Sequence, residues 1–237
     1  MTGEGTAGAP GRLLGHGRDA DVYDLGDGSV LRRYRTDYDH SNEVAALRHL
    51  HAQGFPVPRL IAGEGDGRDL IFERIDGPTM LREMMRRPWL AGRYARQLAD
   101  LHRRLHAITA PAGLRELGPE RDGADERSVL HMDLHPDNVL LSPNGPVVID
   151  WSNASAGPAG LDVAQTVVIM TVAEVGTIPW ALRPAVWLMR RVFLRAFRAA
   201  AHVDPAPHYA DVCRARLRDP NLLPVELRRI NELLARA

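Results

Sequence analysis

The chain has 237 residues, and its 30 basic side chains are all arginine, balanced by 30 acids for a formal net charge of zero. The absence of lysine excludes a Schiff-base enzyme and any phosphate loop built on an obligatory lysine. The single cysteine, Cys213, excludes an internal disulfide and a multi-cysteine zinc site, and it suits a reducing, cytoplasmic compartment.

A composition of 45% hydrophobic and 25% charged residues is that of a globular protein with a sizeable core. Arginine, alanine and glycine richness without lysine fits a GC-rich coding sequence, so the absence matters only where a site would need lysine. A neutral total argues against a general nucleic-acid binder. The opening MTGEGTAGAPG lacks the charged-then-apolar pattern of a signal peptide, and residues 1–11 read as a disordered tail. The most apolar stretch, 161–176, is short for a bilayer span and carries Asp162, Gln165 and Glu174, so no membrane partner is expected.

In chain order, residues 12–35 read as paired strands. Val22, Tyr23 and Leu25 lead into Gly26-Asp27-Gly28, and Val30, Leu31 and Arg32 follow. A helix is expected from Ser41 to Gln53, with Ser41 as N-cap, Val44, Leu47 and Leu50 as its apolar stripe and Gly54 as its stop. Pro56 and Pro58 separate it from a strand pair near 59–62 and 69–75. From Thr79 onward helical patterns dominate, with Asp76 a candidate cap and the longest helix running from about Leu90 to Ile108. A Gly-, Pro- and acid-rich loop covers 110–127. Strands Val139–Leu141 and Val147–Ile149 flank a turn at 142–145, and three or four helices follow, broken near Pro179, Pro205 and Pro224. The expected architecture is α+β and bilobal. A β-rich lobe spans 12–75, a helical lobe spans 76–237, and a hinge near 73–78 puts a ligand cleft between them.

The chemistry concentrates in LHMDLHPDNVLL (130–141) and VVIDW (147–151). Phosphoryl transfer needs a carboxylate that orients the attacking hydroxyl or accepts its proton, and hard oxygen ligands for magnesium. Asp133 is followed five positions later by Asn138, and a 139–149 hairpin would bring Asn138 and Asp150 to one end. This stretch resembles the catalytic loop and metal motif of aminoglycoside phosphotransferase-like kinases, which share the protein-kinase fold. The resemblance covers about residues 12–165. It implies Asp133 as catalytic base, Asn138 and Asp150 as magnesium ligands, His131 as a structural histidine in the loop 131–138, and Asp162 as its buttress. Met132 departs from the family's commoner glycine. In the N-terminal lobe, Gly15-His16-Gly17 through Val22 resembles the kinase glycine loop, with Ala20 for its third glycine, and Glu43 matches the helix glutamate. The backbone from Glu73 to Ile75 resembles the hinge that meets adenine.

The family's strand lysine has no counterpart. Strand alternation puts Val30 and Arg32 on one face and Leu31 and Arg33 on the other. With Val30 under adenine, Arg32 is the preferred phosphate contact over Arg33. The implied activity is transfer of the γ-phosphoryl group of ATP or GTP, with Mg2+, to a small-molecule hydroxyl. The alternative is a nucleotide-binding regulatory pseudokinase without transfer. The eleven residues between Asp150 and Asp162 leave no room for a long phosphorylatable loop, which favours a small-molecule acceptor.

Other patterns have plainer readings. The alternating His131, Asp133, His135 and Asp137 would face a metal together only in an extended segment, and Pro136 argues for a loop. His102 and His106 lie one turn apart, but Arg103 follows where a zinc protease has glutamate, so they read as helix packing. The arginines at 190, 191, 195 and 198 lie along a helix with Trp187, Leu188, Val192, Phe193 and Phe197, and read as a solvated face opposite that core stripe. Residues 163–237 carry eleven arginines against six acids, a net of +5. An acceptor pocket in that third would suit a neutral or anionic compound better than a strongly cationic aminoglycoside, with acids of the 110–127 loop as the possible counterweight.

Overall fold

The computed structural model describes residues 11–17, 19–36, 39–63, 67–118, 127–174, 179–219 and 222–235. Residues 1–10 of the expected tail, Arg18 of the glycine turn and the acids of 119–126 lie outside the described residues. The α+β, bilobal expectation holds.

The N-terminal part is a five-stranded antiparallel sheet of order β1-β2-β3-β5-β4. Its strands are β1 (Arg12–His16), β2 (Ala20–Asp24), β3 (Ser29–Tyr34), β4 (Leu60–Ala62) and β5 (Asp69–Glu73). Helix α1 (Ser41–Ala52) covers one face, burying Val44, Ala46, Leu47 and Leu50 in a core shared with Tyr34, Leu70 and Phe72. The expected cap is corrected here. Ser41 is the first helical residue, and its N–H is satisfied by the Asp39 carboxylate at 2.8 Å. Gly54 follows the helix at φ +71°, a left-handed conformation open to glycine.

β5 ends at Glu73, where the Arg74 N–H turns to the Gly28 carbonyl. Gly77 then passes so close to the helical part that a Cβ would lie 2.2 Å from the Leu141 carbonyl oxygen. Asp76 does not cap the next helix, because Arg74 holds it at 2.9 Å. The Thr79 hydroxyl caps α2 (Met80–Arg86) instead, accepting from the Arg82 N–H.

The helical part is built around α4 (Ala159–Val172), apolar on nearly every side and therefore central. Around it stand α3 (Ala91–His106), α5 (Arg183–Ala200), α6 (Tyr209–Arg216) and α7 (Pro224–Leu234). α5 lays Val186, Met189, Phe193 and Phe197 into the core, mostly against α3. Two small hairpin-like sheets complete it. β6 (Ser128–Leu130) pairs with β9 (Ser155–Gly157), and β7 (Val139–Ser142) pairs with β8 (Gly145–Val148). Among the described residues no helix is long and apolar enough to cross a membrane.

Candidate active site

The β7–β8 register pairs Val139 with Val148, and the Ile149 N–H donates to the Asn138 carbonyl at 3.0 Å. Asn138 and Asp150 therefore meet at the same end of this hairpin. The Asn138 amide N–H2 donates to the Asp133 carbonyl at 2.9 Å and to its carboxylate at 3.2 Å. That leaves the amide oxygen of Asn138, a hard donor of the kind magnesium takes, outside these bonds and in the same cavity lining as Asp150, whose Oδ1 accepts from Arg32 and Ser152. The donor set thus fits the ion.

The segment 131–138 is held from behind by one buried carboxylate. Asp162 accepts the His131 N–H at 3.1 Å, the Met132 N–H at 2.7 Å and the His106 ring N–H at 3.0 Å. Burial alone would raise its pKa. The His106 hydrogen bond leads the effects that outweigh it, and the carboxyl is held well below the ordinary range. The Asp133 N–H donates to His131 Nδ1, so the ring proton sits on Nε2 and is given to the Ile149 carbonyl at 3.0 Å. His131 thereby ties the loop to β8. Met132 takes φ +62°, which explains why glycine suits this position; its backbone is kept there by Asp162.

Arg32 stands between the two parts. It donates to Glu43 at 3.0 Å and to Asp150 at 2.7 Å, with its guanidinium 4.8 Å over the Tyr34 ring. Burial lowers the Arg32 pKa, and the charges of Glu43 and Asp150 more than reverse that. Burial likewise raises Asp150, but the Arg32 charge and hydrogen bond and the Ser152 hydroxyl hold it below its ordinary value. Arg33 lies on the other face, paired with Asp69 at 2.6 and 2.8 Å.

Between the sheet and the β7–β8 hairpin lies a cavity of about 640 Å³. Gly17, Val22, Val30, Arg32, Glu43, Glu73, Ile75, Asn138 and Asp150 all line it. Gly15 sits one step away in β1, paired with Val22, and Asp133 adjoins through Asn138. A Cβ on Gly17 would come within 2.8 Å of the Ala20 carbonyl oxygen, so only glycine closes this β1–β2 turn without a shift.

Sequence reasoning missed several participants. Leu140 and Ile149 line the cavity beside Val30, Ser152 donates to Asp150, and Tyr34 donates to Glu43. Tyr34 shares the Arg32 face of β3 by alternation, the one signal that was available. His102 and His106 do pack inside α3, but their ligand atoms lie within 4.8 Å of each other and of the Asp162 carboxylate. Burial pushes His102 down to about 3, so it is neutral there.

The phosphotransferase enzyme family matches residues 10–128 and, in an overlapping segment, 112–183. No curated protein matches the sequence. Among solved structures, a choline/ethanolamine kinase family protein from Mesorhizobium loti is similar with 16% identity and TM-score 0.57, covering 98% of this chain and 88% of that one. Choline kinase LicA from Streptococcus pneumoniae has 12% identity and TM-score 0.61 over 97% and 94% of the two chains. The gentamicin complex of APH(2")-IIa has 14% identity and TM-score 0.62 over 95% and 88%.

Proposed function

This chain belongs to the phosphotransferase enzyme family, and from that premise we propose that it transfers the γ-phosphoryl group of ATP, or of GTP, to a hydroxyl of a small molecule. The observation that carries this reading is the convergence of Asp133, Asn138 and Asp150 on one end of the β7–β8 hairpin, against a cleft large enough for a nucleotide. In this reading the hinge backbone from Glu73 to Ile75 meets the adenine edge, and Val22 and Val30 cover its face. Gly15 and Gly17 let the β1–β2 turn approach the phosphates. Arg32, anchored on Glu43, takes the α- and β-phosphates, for which a planar, permanently charged donor fork is suited. Asn138 and Asp150 hold magnesium, which when bound offsets phosphate charge and fixes the phosphates for in-line attack. Asp133 orients the acceptor hydroxyl and takes its proton. His131 and Asp162 keep the loop in place. The reducing compartment suggested by Cys213 is the cytosol, where ATP and magnesium are plentiful.

The acceptor in this proposal is neutral or anionic. Gentamicin, bound in one fold neighbour, is a polycation. Here residues 163–237 carry eleven arginines against six acids, and they include α5 to α7 beside the loop-bearing helix α4. Like charge would repel a polycation from that side.

The test is turnover. Slow magnesium-dependent ATP hydrolysis should be measurable, and Asp133→Ala should lower it by about 10²- to 10⁴-fold. Nucleotide binding without magnesium dependence, and no turnover across a broad panel of hydroxyl compounds, would instead mean a binding-only protein. Phosphorylation of common aminoglycosides in vitro, with resistance in a sensitive host, would overturn the acceptor assignment alone.

A further inference from the structure

No residue of α5 lines the cleft described above. The inner stripe of α5 is buried, and a helix of that kind ordinarily turns only polar groups outward. Here the outward side carries Trp187, Leu188 and Val192 among Arg191 and Arg195, all exposed. Trp180, in the turn that leads into α5, is 82% exposed; Trp89, in the 3-10 turn Pro88–Leu90 that packs on α5, is 75% exposed; Trp187 is 60% exposed. The fourth tryptophan, Trp151, is buried, so every exposed tryptophan of the chain belongs to α5 or to a turn that packs on it. The same segments are cationic. Residues 180–198 hold five arginines and no acid, of which Arg190 turns inward to the Thr171 and Ala173 carbonyls; residues 82–96 hold five arginines, of which Arg82 faces the cleft, and one acid, Glu83, which pairs with Arg87.

We propose that this face adsorbs to an anionic phospholipid surface, with the tryptophans at headgroup depth and the arginines on lipid phosphates. Charge and shape select that occupant. A second copy of the chain, docked by a two-fold axis, would press this cationic face against itself. A protein partner would have to bring matching acids to this cationic face, whereas an anionic bilayer offers phosphates wherever the face lands. Tryptophan and leucine beside arginine on the exposed side of a core-packed helix suit the bilayer interface, where aromatic rings sit at headgroup level and arginines meet lipid phosphates. Adsorption needs no spanning helix. The expectation of no membrane partner rested on the lack of a span and does not bear on it. This inference stands apart from the catalytic reading.

Sedimentation with vesicles tests it. The whole chain should pellet with phosphatidylglycerol-containing vesicles, not with pure phosphatidylcholine, and less so as salt rises. Its tryptophan emission should shift to the blue on binding. Two exposed double variants, Trp187→Ser with Leu188→Ser and Arg191→Glu with Arg195→Glu, should each weaken binding at least about tenfold. Their thermal midpoints should stay near that of the parent, because the substitutions touch no core contact. A parent chain that ignores anionic vesicles, or a charge-reversed variant that pellets equally well, overturns the proposal. So does a chain that forms a dimer, abolished by the same substitutions, without binding vesicles; the face would then belong to a second copy.

Discussion

An arginine is longer than a lysine and spreads its charge over a planar fork of donors. At position 32 that shape lets one side chain hold Glu43 and Asp150 at once while lying over the Tyr34 ring. Tyr34 is itself fixed, stacked on His40 with centroids 3.5 Å apart and donating its hydroxyl to Glu43. Removing the fork by Arg32→Ala should raise the KM for ATP at least about tenfold, the worth of a hydrogen bond to a charged group. Arg33→Ala should leave it nearly unchanged, since Arg33 pairs with Asp69 outside the cleft. Tyr34→Phe should give a smaller rise in KM at unchanged kcat. A second residue-level consequence concerns Asp162. Its folded pKa lies below its unfolded one, so its ionised form adds stability that is complete above the ordinary carboxylate value of ~4 and is lost as pH falls further. Asp162→Asn should cost about 3 kcal/mol or more near neutral pH and give a shallower acid limb in denaturation curves. The Arg32 face was legible from strand alternation. That α1 starts one residue after His40, with the Asp39 carboxylate rather than the Ser41 hydroxyl at its first N–H, was not, because both side chains can take that role and only the backbone path into α1 separates them.

Elements with a strong period were legible along their length. The helix α5 was legible from its apolar period, but its stripe was only partly so: the structure buries Phe193 and Phe197 together with Val186 and Met189, and leaves Trp187, Leu188 and Val192 exposed. Phe193→Ala should therefore cost about 3–5 kcal/mol in chemical denaturation, against about 0.5 kcal/mol or less for Trp187→Ala two turns earlier on the outer side. The β7–β8 hairpin was legible from its flanking apolar runs and turn residues. The β6–β9 pair was not. Strands of three residues carry too few side chains to display a period, and these two form only where α3 and the 131–138 segment bring them together. The same limit applies to Met132. Its left-handed backbone is imposed by Asp162, thirty residues away, and not by its own type.

At the scale of the molecule, the cleft depends on both parts of the chain at once. The sheet supplies Val22, Val30, Arg32 and Glu73, and the helical part supplies Asn138, Leu140, Ile149 and Asp150. A ligand that bridges them should stabilise the whole fold. Magnesium and nucleotide at about 100 times the dissociation constant should add ~2.7 kcal/mol to unfolding, read as a rise in thermal midpoint. Asp150→Asn should remove most of the magnesium-dependent part of that rise. The bilobal α+β class, the long helices and the β7–β8 hairpin, the Asp133-to-Asn138 spacing and the face on which Arg32 lies are determined by the sequence alone, because each is a property of neighbouring residues and their periodicity. Tertiary structure alone decided that Arg32 reaches Asp150 across 118 positions, that one carboxylate carries the backbone of the loop, and that Trp151 is buried while Trp89, Trp180 and Trp187 are not. Those outcomes depend on how surfaces far apart in the chain pack, and a tryptophan has the same chemistry in the core as in water; only the packing of its neighbours tells the two apart.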